Sequence, residues 1–207
     1  MEYSFHVYNK LATDGISMAT EKLLLTDENF KTRGACMRSR IKKEELIGAK
    51  PPVIVCIGSD LAIGDSLGPI TGSMLKFKTQ GLPIFLYGTL SAPITAKEIP
   101  YMRTFLKETH PHSQILAIDA TVGGSGDIGL IKLSNTPLQP GAGANKQLGS
   151  LGDLSIMGIV AEKSVANFGL LNTTRLNLVY TMAELISDGV STILWERCGR
   201  KKSAKRA

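Results

Sequence analysis

Short runs of continuously apolar residues alternate with stretches of helical periodicity, and this alternation constrains the fold more than any other feature of the chain. The run VIVCIG at residues 53–58 is rich in β-branched residues, as expected of a strand buried on both faces. Further strands are predicted at residues 83–90, 114–120, 128–134 and 154–161. Helices are predicted at residues 66–77 and 97–110 and from residue 176 onward, where Gly189 is expected to end the last one. This order predicts a three-layer α/β/α domain.

The Gly-rich link GGSGD at residues 123–127 predicts the direction of one strand. It is too short for the crossover helix that would join two parallel strands, so at least one strand should run antiparallel to its neighbour. The remaining strands are joined by helices and should be parallel. The pattern therefore predicts a mixed, mostly parallel sheet.

Pro51 and Pro52 mark a predicted domain boundary, because proline resists helix and pushes the preceding residue toward extended backbone. Residues 1–50 are polar and mixed in charge, and we interpret them as a partly helical N-terminal extension. Residues 51–198 then form a single α/β/α domain. Residues 199–207 are predicted to be a basic, flexible tail.

The net charge of +6 lies mainly in that tail. Residues 199–207 hold five basic side chains and no acid, whereas residues 51–198 hold 10 Lys and Arg against 11 Asp and Glu. The folded body is therefore near neutral and offers no basic face to nucleic acid. We expect no nucleic-acid partner except through the tail, and no membrane partner.

Several classes of site lack their usual sequence signals. Cys36, Cys56 and Cys198 are widely spaced and form no CxxC motif, which indicates neither a disulfide framework nor a zinc site. The chain also lacks the motifs of nucleophile elbows, zincins and nucleotide-binding loops. No apolar run approaches the roughly 18 residues of a membrane-spanning helix, and the N terminus has no secretory pattern. We predict an intracellular protein without a metal or cofactor.

Two aspartates are predicted to meet at one edge of the sheet. Asp60 and Asp65 follow the first strand of the domain, and Asp119 ends the third. Ligands of open α/β sheets bind outside the carboxyl ends of the strands, near the point where the strand order reverses. Asp65 and Asp119 are therefore the candidate catalytic residues.

A close pair of carboxylates has a specific chemical consequence. At a separation of about 4 Å the two charges repel by roughly 4 kcal/mol, equivalent to about three pKa units, so one acid holds a proton while the other accepts one. This arrangement suits the activation of water and the protonation of a leaving group. Two alternatives remain open: the pair binds a divalent metal, or Asp65 is only the N-cap of its helix.

Candidate substrate-binding residues lie in two loops. Asp60 and Gly64 belong to the turn that carries Asp65. The segment PGAGANK, which includes Gly141, Gly143 and Lys146, is a candidate for holding an anion with its backbone N–H groups.

Three segments together resemble a known family. CIGSDLAIGDSLGP, AIDATVG and PGAGANKQL, in this order and spacing, are similar to the YyaC-type family of sporulation proteins, over about residues 51–190. That group is related to the spore germination protease and, more distantly, to the hydrogenase maturation endopeptidases. The resemblance implies a phosphorylase/hydrolase-like α/β/α fold with a mixed, mostly parallel five-stranded sheet. It also implies that Asp65 and Asp119 correspond to the aspartate pair proposed for the germination protease.

The resemblance also predicts a function. We expect a cytoplasmic endopeptidase of the spore or sporulating cell that acts on a protein or peptide, with small spore proteins as candidate substrates. The maturation endopeptidases add a histidine further along the chain, whereas this sequence has no histidine after His112. A metal-dependent peptidase of the maturation type and a non-catalytic binding protein on the same fold are the alternatives.

Overall fold

Six strands form one mixed sheet in the computed structural model, which describes residues 1–26, 50–140, 148–163 and 174–198. The strands are β1 Glu2–His6, β2 Val53–Cys56, β3 Phe85–Tyr87, β4 Ile115–Gly123, β5 Leu130–Ser134 and β6 Leu154–Glu162. The four helices of the described residues are α1 Ala12–Thr26, α2 Leu67–Lys78, α3 Ile99–Thr109 and α4 Leu176–Cys198. The chain is therefore an α/β protein, as predicted.

The spatial order of the strands is β1-β5-β6-β4-β2-β3. The pairs β2–β3, β2–β4 and β4–β6 are parallel, whereas β5 runs antiparallel to both β1 and β6. The short link before β5 contains only a 3₁₀ turn at Ser125–Asp127. The prediction of a mixed, mostly parallel sheet is confirmed, and β5 is its antiparallel strand.

The predicted number of five strands is wrong, because β1 adds a sixth. This strand lies in the segment that the sequence analysis assigned to the N-terminal extension, and it pairs with β5 from Glu2↔Ser134 to His6↔Leu130. It forms one edge of the sheet, while β3 forms the other. The boundary at residue 50 stays a prediction, and the tail at 199–207 lies outside the described residues.

The continuous apolar run of β2 results from burial on both faces. Ile54 and Cys56 pack in a core with residues of α1, α2 and α4, whereas Val53 and Val55 pack in a second core with residues of α3. Successive side chains of a strand point to opposite faces, so a strand covered on both sides needs apolar residues throughout. Three helices thus cover one face of the sheet and one helix covers the other face.

The last helix is longer than predicted. Gly189 does not end it, because α4 continues to Cys198. Gly189 lies where α4 packs against α1, and a Cβ atom added there would stand 2.6 Å from Cγ2 of Ile16. The glycine serves the close approach of two helices rather than a C-cap. None of the described helices is long and apolar enough to cross a membrane.

Candidate functional site

The turn between β2 and α2 is held in one conformation by its own backbone. The N–H of Ser59 donates to the carbonyl oxygen of Asp65 at 3.0 Å, and the N–H of Asp65 donates to the carbonyl of Ala62 at 3.0 Å. Gly58 has φ +140°, and a Cβ atom there would overlap the carbonyl oxygen of Asp65. Glycine is required at this position because the turn folds back onto it.

Asp65 lies in the 3₁₀ turn Ile63–Ser66 that leads directly into α2, and it is half-buried. The N-cap position of α2 is Ser66, whose hydroxyl donates to the carbonyl of Ile63 at 2.6 Å. Asp65 therefore stands one residue before the position that the N-cap alternative assigned to it.

Asp119 lies in β4, the strand next to β2. The N–H of Ile57 donates to the carbonyl of Ile118 at 2.7 Å, which ties the exit of β2 to the residue before Asp119. The Asp119 side chain is only 9% exposed, and its Oδ1 accepts a hydrogen bond of 2.8 Å from the N–H of Ala120. Asp119 is therefore level with the end of β2 at which the turn carrying Asp65 begins.

The surroundings of Asp119 favour its protonated form. Burial raises the pKa of its carboxyl well above the ordinary value, and the negative charge of Asp65 raises it further. The hydrogen bond from Ala120 acts in the opposite direction but is the smallest of the three effects. The two acids thus interact electrostatically, and burial is the larger cause of the shift.

The other predicted site residues divide into two groups. Asp60 is exposed in the turn after β2, and Gly64 is buried within the 3₁₀ turn. Gly141, Gly143 and Lys146 lie outside the described residues. Their roles in substrate binding stay predictions.

Two glycines that were not predicted as site residues allow the backbone segments around this turn to pack closely. A Cβ atom at Gly68 would overlap the carbonyl oxygen of Ile57, and one at Gly88 would overlap that of Cys56. Gly88 also has φ +84°. The glycine-rich spacing of CIGSDLAIGDSLGP was the available signal for Gly68, but a spacing alone does not say which backbone a glycine meets, and Gly88 lies outside that segment.

A cavity of about 880 Å³ lies elsewhere, beside α3 and the starts of β4 and β6. It is lined by residues such as Arg103, His110 and Asp153 and does not include the two acids. Among the residues that the structure describes, no three His, Cys, Asp or Glu side chains converge to hold a metal ion.

A family model, a curated protein sequence and a solved structure are each similar to this chain. The family model described as "Protein of unknown function (DUF1256)" matches residues 24–189. The chain is 40% identical over 142 residues to "Uncharacterized protein YyaC" of Bacillus subtilis (strain 168), a match covering 69% of each chain. The crystal structure of a [NiFe] hydrogenase maturation protease, HycI from Thermococcus kodakarensis KOD1, is a distant structural neighbour with a TM-score of 0.45 and 16% identity. That match covers 72% of this chain and 95% of HycI.

Proposed function

The chain belongs to the family described as "Protein of unknown function (DUF1256)", and we propose that it is an endopeptidase that hydrolyses peptide bonds with Asp65 and Asp119. The resemblance to YyaC-type proteins is confirmed by the 40% identity to YyaC. The names of the relatives supply no activity for this chain. The support for a peptidase comes from the arrangement of the two acids.

One observation carries the proposal: a buried acid and a second acid lie at the same edge of the sheet and interact. The hydrogen bond of 2.7 Å between Ile57 and Ile118 joins the segment that follows β2 to the middle of β4, next to Asp119. Asp119 has little access to solvent, whereas Asp65 is half-buried in the turn above. A buried acid whose pKa is raised, beside a second acid, is a pattern that suits general acid and general base catalysis.

The pair supplies the proton transfers of peptide hydrolysis. Ionised Asp65 takes a proton from water as the water oxygen bonds to the peptide carbonyl carbon, and protonated Asp119 gives its proton to the carbonyl oxygen. Asp65 then passes its proton to the amide nitrogen, and the C–N bond breaks. Asp119 recovers a proton from one of the two hydroxyl groups, which leaves a carboxylic acid and restores the starting state. The scheme needs no cofactor.

The setting of the activity is part of the same proposal. The YyaC-type resemblance supports a cytoplasmic role in the spore or sporulating cell, with small acid-soluble spore proteins as the first candidate substrates. It also supports placing the fold in the phosphorylase/hydrolase-like class. Proteins and peptides are the expected partners.

The test compares four full-length proteins: wild type, Asp65→Asn, Asp119→Asn and the control Asp14→Asn, whose aspartate is exposed in α1, outside the candidate site. Each is incubated with unfolded casein and with purified small acid-soluble spore proteins, and new termini are identified by mass spectrometry. We expect cleavage by wild type and Asp14→Asn and a loss of at least 100-fold in the other two. Equal cleavage by all four proteins would refute the proposal.

Two further arms separate the alternatives. Full activity in a chelator is expected, whereas loss that is restored by one added metal ion would indicate metal-dependent hydrolysis. Tight binding of a substrate by wild type without any new termini would indicate a non-catalytic binding protein.

A further inference from the structure

We propose that the polypeptide substrate binds as an additional strand along the part of β4 that extends beyond β2. The inference rests on the proposed function, because it describes how the same site holds its substrate. The groups concerned are the backbone N–H and C=O groups of Ala120 and Val122, and we call them the open strand edge.

β4 extends beyond the strand beside it. The pairing of β2 with β4 ends at Cys56↔Ile118, and the N–H of Ile57 then makes one last hydrogen bond to the carbonyl of Ile118. β4 itself continues to Gly123. Within the described part of the chain, no strand pairs with residues 119–123 on the side of β2.

The alternation of the backbone shows which groups face this side. The carbonyl of Ile118 faces β2, as the last bond of that pairing shows, whereas the carbonyl of Gly123 faces β6 and accepts a bond of 2.7 Å from the N–H of Lys163. Successive residues of a strand direct their backbone groups to opposite sides. The N–H and C=O groups of Ala120 and Val122 therefore face the side that β2 has left.

The carboxyl group of Asp119 lies against the open strand edge. The N–H of Ala120 belongs to this edge, and it donates to Oδ1 of Asp119 at 2.8 Å. The other groups of the edge are the carbonyl of Ala120 and the N–H and carbonyl of Val122. None of the hydrogen bonds between turns and strands of the described residues uses these three groups, and both residues are partly exposed.

The three groups match the backbone of an extended polypeptide. They present an acceptor, a donor and a second acceptor, to which an added strand offers an N–H, a carbonyl and the next N–H along its edge. Paired strands lie about 4.7–4.9 Å apart. A chain bound in this way passes beside the carboxyl of Asp119, where the proposed hydrolysis takes place.

This mode of binding determines the class of substrate. Hydrogen bonds to the backbone require an extended segment that is free of its own secondary structure, and they depend little on its side chains. Proline has no N–H, so it is excluded where the substrate meets the carbonyl of Ala120 or Val122. The expected substrates are unfolded segments without proline at these positions.

The first test removes one donor from the open strand edge. Val122→Pro lacks the N–H that faces the open side, and proline is tolerated at strand positions whose N–H faces solvent. The matched control is Val122→Ala. Both changes shorten a side chain that packs against the core, so the two variants differ chiefly in the backbone N–H.

Binding is measured without cleavage. Both variants are made in Asp119→Asn protein, in which turnover is expected to be absent, and are titrated into fluorescein-labelled unfolded casein while anisotropy is followed. We expect Val122→Pro to bind about tenfold more weakly than Val122→Ala, as for the loss of one hydrogen bond. Circular dichroism and urea unfolding establish that both variants are folded.

The second test alters the ligand and leaves the open strand edge intact, so it does not depend on the folding of Val122→Pro. Asp119→Asn protein is titrated into the fluorescein-labelled octapeptide Ser-Thr-Ala-Val-Thr-Ala-Ser-Lys and into the same peptide with N-methyl groups on its four central residues. We expect binding of the methylated peptide to be weaker by at least about tenfold, because the N–H groups that pair with the edge are lost.

Three results would overturn the inference. They are equal binding of casein by Val122→Pro and Val122→Ala, equal binding of the two peptides, and the absence of binding in both tests. Self-association of the wild type that Val122→Pro abolishes and Val122→Ala retains would do so as well, by assigning the open strand edge to a second copy of the chain.

Cleavage distinguishes failure of the inference from failure of the function. In the otherwise wild-type protein, Val122→Pro is expected to raise KM for unfolded casein about tenfold relative to Val122→Ala. Binding that depends on the N–H of Val122 without any new termini would refute the proposed function and leave the strand-binding edge standing. Cleavage that is equal in the two variants would do the reverse.

Discussion

Asp119→Asn is expected to make the protein more stable at neutral pH while removing its activity. The native surroundings of Asp119 favour the protonated acid, because the side chain is buried and Asp65 raises its pKa further. In the unfolded chain at pH 7 the carboxyl of Asp119 is ionised. Folding must therefore either bury this charged carboxylate or protonate it with a proton taken up from solution. Asparagine is neutral and similar in shape, and its oxygen can accept the hydrogen bond from Ala120 that the carboxyl now accepts.

The sign and size of the effect follow from linkage. Below about pH 4 the acid is protonated in both the folded and unfolded states and costs nothing. As the pH rises, the unfolded chain loses this proton first, and the free energy of unfolding falls until the pH passes the raised pKa of the folded state. At pH values above the raised pKa, each pKa unit by which Asp119 is shifted lowers the free energy of unfolding of the wild type by about 1.4 kcal/mol. This is equivalent to about 3–5 °C in Tm for a chain of this size.

The assay is urea unfolding of wild type, Asp119→Asn and Asp60→Asn from pH 4 to pH 8. The difference between wild type and Asp119→Asn should be small at pH 4 and grow in favour of the variant with rising pH. Asp60 is exposed in the turn after β2 rather than buried in β4, so the stability of Asp60→Asn should follow that of the wild type throughout. If Asp119→Asn were less stable than wild type at pH 7 to 8, the acid would be stabilised in its charged form, and the reasoning about its burial would be wrong.

Three further changes test the packing and electrostatics of the same structure. In Asp65→Asn, carbon-detected NMR titration should give a lower pKa for Asp119 that still exceeds the ordinary value, because burial is the larger cause of the shift. A fall to the ordinary value would contradict that ranking. Gly58→Ala should lower the free energy of unfolding by about 1–3 kcal/mol and slow peptide cleavage, since the new Cβ overlaps the carbonyl of Asp65; an unchanged urea midpoint would refute it. Gly189→Ala should cost about 1–3 kcal/mol, and combining it with Ile16→Ala should cost less than the sum of the single changes if their contact is the cause.

The buried strands were predictable because burial on both faces leaves a clear sequence pattern. β2 and β4 lie inside the sheet, and their apolar runs reflect contact with helices on each side. β1 was missed because it is an edge strand with alternating exposure, and EYSFH carries no continuous apolar run. Gly189 led to the wrong prediction that the last helix ends there, because glycine is common at helix C-caps. Its close approach to Ile16 of α1 is a tertiary contact that the local sequence does not reveal.

The candidate acids were predictable from topology, whereas their surroundings were not. Parallel strands joined by helices bring their carboxyl ends to the same end of the sheet, which predicts that the turn of Asp65 lies near Asp119. The catalytic roles of the two acids stay predictions. The degree of burial of Asp119 depends on packing across several elements. The fit of Gly58 against the carbonyl of Asp65 likewise joins two positions in one closed turn. Neither feature follows from the spacing of residues along the chain.

The hydrogen-bonded turn after β2 holds Asp65 in the position from which its charge acts on Asp119. An acid that only caps a helix accepts hydrogen bonds from the N–H groups of the first turn, which stabilise its charged form and lower its pKa. Asp65 was the candidate for such a cap, but the N-cap position of α2 is Ser66, and the charge of Asp65 instead raises the pKa of Asp119. A flexible loop would relieve this repulsion by moving Asp65 away, but the backbone bonds at Ser59 and Ala62 oppose that movement. The fold therefore keeps Asp65 at a position where its charge, together with burial, raises the pKa of Asp119 and so favours the protonated form of that acid.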